Sequence, residues 1–401
     1  MKFRESRVGS TGMMSRQTMS EFVRDPLQVA TTVAEIFGDD LHARRVLSLA
    51  NGVVGTIDAA VLSIHAIGRG YARVTNNAKK HGVKQTDRLL GNAGIDVWAL
   101  FGPWAQFVVG ERTELVLALD WTEFDADDHA TLAGYLITTH GRATPLIWMT
   151  VSKATLKNRR NDHEYRLIER LHECVAANVK ITLLADRGFG DQKLYRLLQT
   201  LGWDFVIRFR GAIQVEDAAG TRRTANAWVP ANGRALIIRH ARVTRTRAEV
   251  PAVVVVHAKK MKEAWCLATT LSERKASEIV KLYGRRFTIE ETFRDQKNLR
   301  FGMGLSATHI GSTDRRDRLL LLAAIAQALL TLLGAAGEAC GLDRLMKTNT
   351  RKTRTMSLLN QGIHLYEAIP YMGNEKLVPL MKAFDNIVRQ HAIFRAVFGL
   401  I

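Results

Sequence analysis

The chain has 401 residues, with 57 Lys+Arg against 39 Asp+Glu, a net charge of +18 and a pI near 10.1, a balance that points to a polyanionic partner, nucleic acid foremost. Its 47% hydrophobic content can fill a large core divided over two or three domains. Cys174, Cys266 and Cys340 are too few and too scattered for a disulfide framework, so a reducing cytoplasm is expected, and the polar, charged first 25 residues carry no secretory signal.

Residues 1 to about 20 are polar and read as a mobile lead-in; residues 21–105 carry helical patterning in DPLQVATTVAEIFG and HARRVLSLANGVVGTIDAAVLSIHAIG. Ala78 to Val83 resembles a helix-turn-helix, with Ala78 under a turn at Gly82. The next helix, starting near Lys84, would offer Lys84, Gln85, Thr86 and Arg88 to DNA. An ordinary helical hairpin is the alternative.

Strands are expected at about 113–124, 131–139 and 143–152, antiparallel because their connections are short. A helix at 162–177, a strand ending at Asp186, a helix at 191–201 and the strand WDFVIRFR follow. The interval from Asp186 to Glu290 is too long for one more strand and helix, and residues 211–262 hold β-branched runs broken by turn residues, so an all-β insertion is read there. The division is then 1–105 helical, 106–210 and 263–340 as two parts of one α/β core, 211–262 inserted, and 341–401 helical.

Asp120 ends the strand-like run TELVLALD, and Asp186 ends VKITLLAD before a glycine-containing turn. In open α/β sheets ligands gather beyond the carboxyl ends of strands, although either residue alone also suits a cap or a turn. Downstream, Tyr283, Arg286, Glu290 and Lys297 recur in a proline-free stretch read as one helix, which places them within an arc of roughly 60°. Ile289 and Phe293 fix an adjacent stripe to a core. A solvated face of ion pairs is the plain alternative. Three carboxylates together make hard oxygen ligands for Mg²⁺ or Mn²⁺.

The Y-x2-R-x3-E-x6-K pattern, with Asp120 in LDW and Asp186 in LLADRGF, resembles the DDE transposases of bacterial insertion sequences, and more narrowly the branch often called IS-four. KQTDRLLGN at 84–92, AWCLATTL at 264–271 and IEETFRDQK at 289–297 extend the resemblance from about residue 75 to at least 305. It implies a ribonuclease H-like mixed sheet with the all-β insertion, a helical DNA-binding region before it, and C-terminal helices after it that help pair two protomers on DNA. It also implies cut-and-paste transposition with Asp120, Asp186 and Glu290 as catalytic metal ligands for two Mg²⁺ ions, Mn²⁺ substituting. Tyr283, Arg286 and Lys297 would contact phosphates, and Trp265 would receive a flipped base, a core tryptophan being the alternative. The partners are insertion-sequence ends and target duplex, in a bacterial cytoplasm at the nucleoid.

Other readings carry less of the pattern. Residues 319–336 approach the length of a membrane span, but their alanines and polar breaks favour a buried helix. His172 and Cys174 have no second ligand pair for zinc. Glu291 lies off the stripe, and Glu123, Asp125, Asp127 and Asp128 are assigned to solvent or capping. A non-mobile endonuclease of the same fold and a non-catalytic DNA-binding regulator remain as alternatives.

Overall fold

The run from Glu114 to Ser152 folds into three long antiparallel strands, β1 (Glu114–Phe124), β2 (His129–Ile137) and β3 (Ala143–Ser152). β2 is buried at every position and β3 at all but its last, because both faces of the sheet are covered there. This is a computed structural model, which describes residues 26–138, 142–298 and 302–389. The polar first 20 residues lie outside them, as does the end of the C-terminal region from 390.

After β3 the pattern changes to strand and crossover helix. Helix α6 (Arg160–Cys174) leads to β4 (Lys180–Ala185), which pairs in parallel with β1; helix α7 (Gln192–Thr200) leads to β5 (Asp204–Phe209), parallel to β4. The expected helices at 162–177 and 191–201 are thus present with slightly different ends. The next strands are β6 (Gln214–Glu216), β7 (Arg222–Thr224), β8 (Leu236–Val243), β9 (Ala248–Val256) and β10 (Trp265–Thr269). They do not form a separate sheet. β10 pairs with β5 and β9 pairs with β10, so one ten-stranded sheet runs in the order β3-β2-β1-β4-β5-β10-β9-β8-β6-β7. This mixed α/β architecture is consistent with a ribonuclease H-like transposase fold.

Helices α1 (Pro26–Phe37), α2 (Ala43–Ala59), α3 (Ile64–Val74), α4 (Lys79–Leu90) and α5 (Val97–Val109) precede the sheet. Ser63 caps α3 by accepting from Ala66 N at 3.1 Å, and Asp96 caps α5 by accepting from Trp98 N at 3.0 Å. The expected turn at Gly82 is not there. α4 already begins at Lys79, and Gly82 lies inside it, where the absence of a side chain lets α4 and α3 touch: a Cβ on Gly82 would stand 2.1 Å from Gly68 O.

Beyond β10 come α8 (Ala276–Gly284), a 3-10 turn (Arg285–Phe287), α9 (Thr288–Lys297), α10 (Thr313–Ala339), α11 (Leu358–Ala368) and α12 (Asn374–Arg389). α10 is long and apolar enough to cross a membrane, yet 94% of its most apolar window is buried within the protein. It packs against α2, α11, α12 and β3. Arg316 and Arg318 near its start are buried, with Asp317 between them. Arg316 pairs with Asp127 and donates to His129 Nδ1 at 3.1 Å; Asp317 accepts from Thr150 N at 3.1 Å; Arg318 donates to Ile95 O at 2.8 Å and Leu90 O at 2.9 Å.

Candidate active site

Parallel pairing of β1 with β4 ends at Leu119 opposite Ala185, so the next residues, Asp120 and Asp186, leave the two strands side by side. Asp120 is not at the end of its own strand. β2 continues to pair with β1 as far as Phe124, and only β4 stops. Asp186 turns into a short 3-10 segment and caps it, its Oδ1 accepting from Gly188 N at 2.7 Å.

Burial raises the Asp120 carboxyl to about 6; Arg286 opposes the shift and the nearby Asp186 charge adds to it. Its Oδ1 accepts from Trp121 N at 2.9 Å and its Oδ2 from Arg286 Nη1 at 2.9 Å. The other arm of Arg286, Nη2, reaches Glu290 Oε1 at 2.8 Å. The guanidinium is nearly enclosed, with 7% of its side chain exposed, whereas Glu290 is half-exposed.

Tyr283, Arg286, Glu290 and Lys297 do not share one continuous α-helical stripe, because the 3-10 turn between α8 and α9 tightens the winding at Arg286. Tyr283 is fully buried, hydrogen-bonded to Arg286 and edge-on to Trp265 at 5.0 Å between ring centres. Trp265, half-buried at the start of β10, also meets the exposed Phe287 at 5.8 Å. Lys297 lies further along, donating to Glu123 O at 2.8 Å and Thr122 Oγ1 at 3.1 Å, with its Nζ 5.0 Å from the centre of the Phe124 ring.

α9 is held across β2 and β3 by buried polar contacts. Thr292 Oγ1 accepts from Ala143 N at 2.9 Å, Asp295 pairs with Arg142 at 2.6 Å, and Gln296 accepts from Tyr135 at 3.1 Å. Ile289 is fully buried and Phe293 packs edge-on against Tyr135 at 5.2 Å. Of the acids assigned to solvent, Glu123 and Asp125 pair with Lys153, but Asp127 is 9% exposed and belongs to Arg316. Solvent does not take it because the Ile310 N–H and the guanidinium both converge on Asp127 Oδ2.

Hard carboxylate oxygens are the right donors for a divalent ion. Arg286 stands between Asp120 and Glu290 and offsets part of their charge, but Asp120, Asp186 and Glu290 together outnumber it, so the excess negative charge favours a cation once the guanidinium turns aside. Among the described residues no three His, Cys, Asp or Glu side chains stand as a ready metal cluster, His172 and Cys174 included.

On α4, Lys84 and Arg88 are exposed and Gln85 half-buried; all three line an open groove of about 740 Å³ with Lys80 and His81. Thr86 does not join them. Its side chain is buried and donates to Gly82 O at 3.0 Å, because α4 turns that face toward the helical core.

Trp121 and Glu164, which the motif reading passed over, adjoin Asp120: Trp121 Nε1 donates to Glu164 Oε1 at 2.8 Å. The signal was in α6, where Glu164 occupies the same buried stripe as Leu167, Ile168 and Leu171. An acid on an apolar stripe marks a position where burial is offset by something specific.

No curated protein matches the chain. The family model described as a transposase DDE domain matches residues 111–329, which take in β1 through most of α10 and every acid gathered around Arg286. With more than half of its length accounted for in this way, the chain belongs to the family of transposases that carry the DDE domain.

Proposed function

We propose that the protein is a cut-and-paste transposase of the IS-four branch, carrying out phosphoryl transfer at insertion-sequence ends. The observation that carries this reading is the register of β1 and β4, which sets Asp120 beside Asp186 while Arg286 ties Glu290 to the same spot. Asp120, Asp186 and Glu290 would hold two Mg²⁺ ions, or Mn²⁺, whose Lewis acidity activates the attacking hydroxyl and stabilises the leaving oxygen.

The chain's own residues orient the DNA. Arg286, whose fork now spans two carboxylates, has the geometry to grip a phosphate bidentately as DNA enters. Lys297 adds a point charge further along the strand path, and Tyr283 offers a hydroxyl from beneath. Trp265, with Tyr283 and Phe287 around it, would stack against a base drawn out of the duplex. Lys84, Gln85 and Arg88 on α4 would contact the end sequence. The order of events is a nick, attack of the freed 3′-hydroxyl on the opposite strand to give a hairpin, opening of the hairpin, and joining to target DNA. Two protomers would pair the two ends, in the bacterial cytoplasm at the nucleoid.

The test is to incubate purified protein with linear DNA carrying the sequences that flank its gene, with Mg²⁺ or Mn²⁺, beside Glu290→Gln. Metal-dependent double-strand breaks at the element ends, with hairpin intermediates absent from Glu290→Gln, are expected. Binding without cleavage in either metal would leave a regulator in place of an enzyme.

A further inference from the structure

We propose that Glu164 is a positioning residue for Asp120, acting through the two N–H groups of Trp121; the proposal rests on the functional reading above. Glu164 sits in the first turns of α6 with 1% of its surface exposed. Its Oε1 accepts from the indole Nε1 of Trp121 at 2.8 Å, and its Oε2 is buried without a partner. The same Trp121 uses its backbone N–H to hold Asp120 Oδ1 at 2.9 Å, which leaves Oδ2 for Arg286 at 2.9 Å. A continuous chain therefore runs Glu164, Trp121, Asp120, Arg286, Glu290.

Two further features separate this arrangement from ordinary core packing. Trp121 is only half-buried, and the Arg160 guanidinium lies 4.9 Å from its ring centre, so core packing does not enclose the indole and its bond to Glu164 fixes its angle. The same turn of α6 also reaches the second aspartate's segment: Tyr165 donates to Asp191 Oδ2 and Asn161 Nδ2 lies 3.3 Å from it, five residues after Asp186. One helical turn thus grips both chain segments that carry the aspartates. A buried carboxyl with one unpaired oxygen is costly, and a fixed Asp120 geometry is what it supports. Freed of Glu164, the indole loses its anchor on α6, and the Trp121 N–H, the only donor to Asp120 Oδ1 among the described contacts, is left in a segment that β2 still pairs but β4 no longer flanks, so its aim loosens.

The experiment is a double-mutant cycle on Glu164→Leu and Trp121→Phe, with Glu164→Gln as the conservative variant. Three quantities are read on flanking-sequence DNA: the single-turnover nicking rate, the Kd for DNA, and Mn²⁺ affinity of the DNA-bound protein by electron paramagnetic resonance. Each single variant should lower the nicking rate on the order of 10- to 100-fold and weaken Mn²⁺ binding. The Kd for DNA should stay within about twofold. The double variant should be no worse than either single one, since both break the same link. Glu164→Gln should stay within about threefold of wild type, because its amide oxygen can still accept from the indole.

Additive losses, a Glu164→Leu protein as fast as wild type, or a Gln variant as impaired as Leu would overturn the relay. Should Glu164→Leu fail to fold, Trp121→Phe keeps an aromatic ring and removes only the indole donor, and an unimpaired rate in that variant overturns the relay by itself. A wild type that nicks DNA while the variants match it sinks the relay alone. One that neither nicks nor binds Mn²⁺ sinks the functional reading, and the relay with it.

Discussion

Arg286 stands 2.9 Å from Asp120 and carries the other half of its fork to Glu290, so two of the three acids of the cleft share a single guanidinium. Taking that charge away leaves Asp120 buried without its cation. Arg286→Gln should therefore cost about 3 kcal/mol of stability at pH 8. The loss should shrink at pH 5, because Asp120, whose carboxyl burial already holds at about 6, can then take up a proton instead. Urea unfolding at the two pH values measures the difference, and an equal loss at both would contradict the pairing.

Asp317 gives a pH dependence of its own. Burial raises its carboxyl to about 7, against the donors from Thr150 that favour the charged form. With the folded pKa above the unfolded one, the folded protein binds more protons between about 4 and about 7, so stability falls as pH rises through that window. Asp317→Asn retains an acceptor for Thr150 and removes the titration. Its expected effect is a gain on the order of 2 kcal/mol at pH 8 and little change at pH 4, read from melting curves.

Neighbouring residues of α4 should separate cleanly in a binding assay. Lys84→Ala and Arg88→Ala remove exposed cations, and each should weaken DNA binding and reduce the salt slope by about one. Thr86→Ala instead deletes the buried bond to Gly82 O, and about 1 kcal/mol of folding stability with it, leaving the salt slope unchanged. A Thr86 variant that folds normally but loses DNA affinity would reverse the assignment.

Gly82→Ala tests the contact between α3 and α4. The new Cβ would be driven into Gly68 O, which is backbone and cannot rotate away. We expect a loss of about 1–3 kcal/mol, with DNA affinity falling only as the helices separate. Native-state hydrogen exchange in α3 and α4 would show where the opening occurs.

Much of the α/β core could be read from residues alone, because β1 to β5 are apolar runs bounded by turn residues and the crossover helices have clear stripes. Strand boundaries at 143–152 coincide with the expected ones for that reason. Pairing is another matter: the β-rich stretch at 211–262 was legible, but nothing local in Ala248 to Val256 shows that β9 will lie beside β10 and extend the central sheet. The break at Arg285–Phe287 was passed over too, since its one signal is a lone Gly284 with no proline beside it. The burial of Arg316 and Arg318 was not legible, for a physical reason. Their partners, Asp127, Leu90 and Ile95, are remote in sequence, and a cation's burial cannot be inferred without them.

The position of α10 has a consequence for synthesis of the protein. Helix α2 and strand β3 each present apolar surface that α10 covers, yet Thr313–Ala339 leaves the ribosome long after both. The nascent chain must therefore carry that surface uncovered through the translation of more than a hundred further residues. Chains that stop short of α10 should be captured by chaperones or aggregate, so helices α1 to α5 should not be released as a stable fragment by simple truncation.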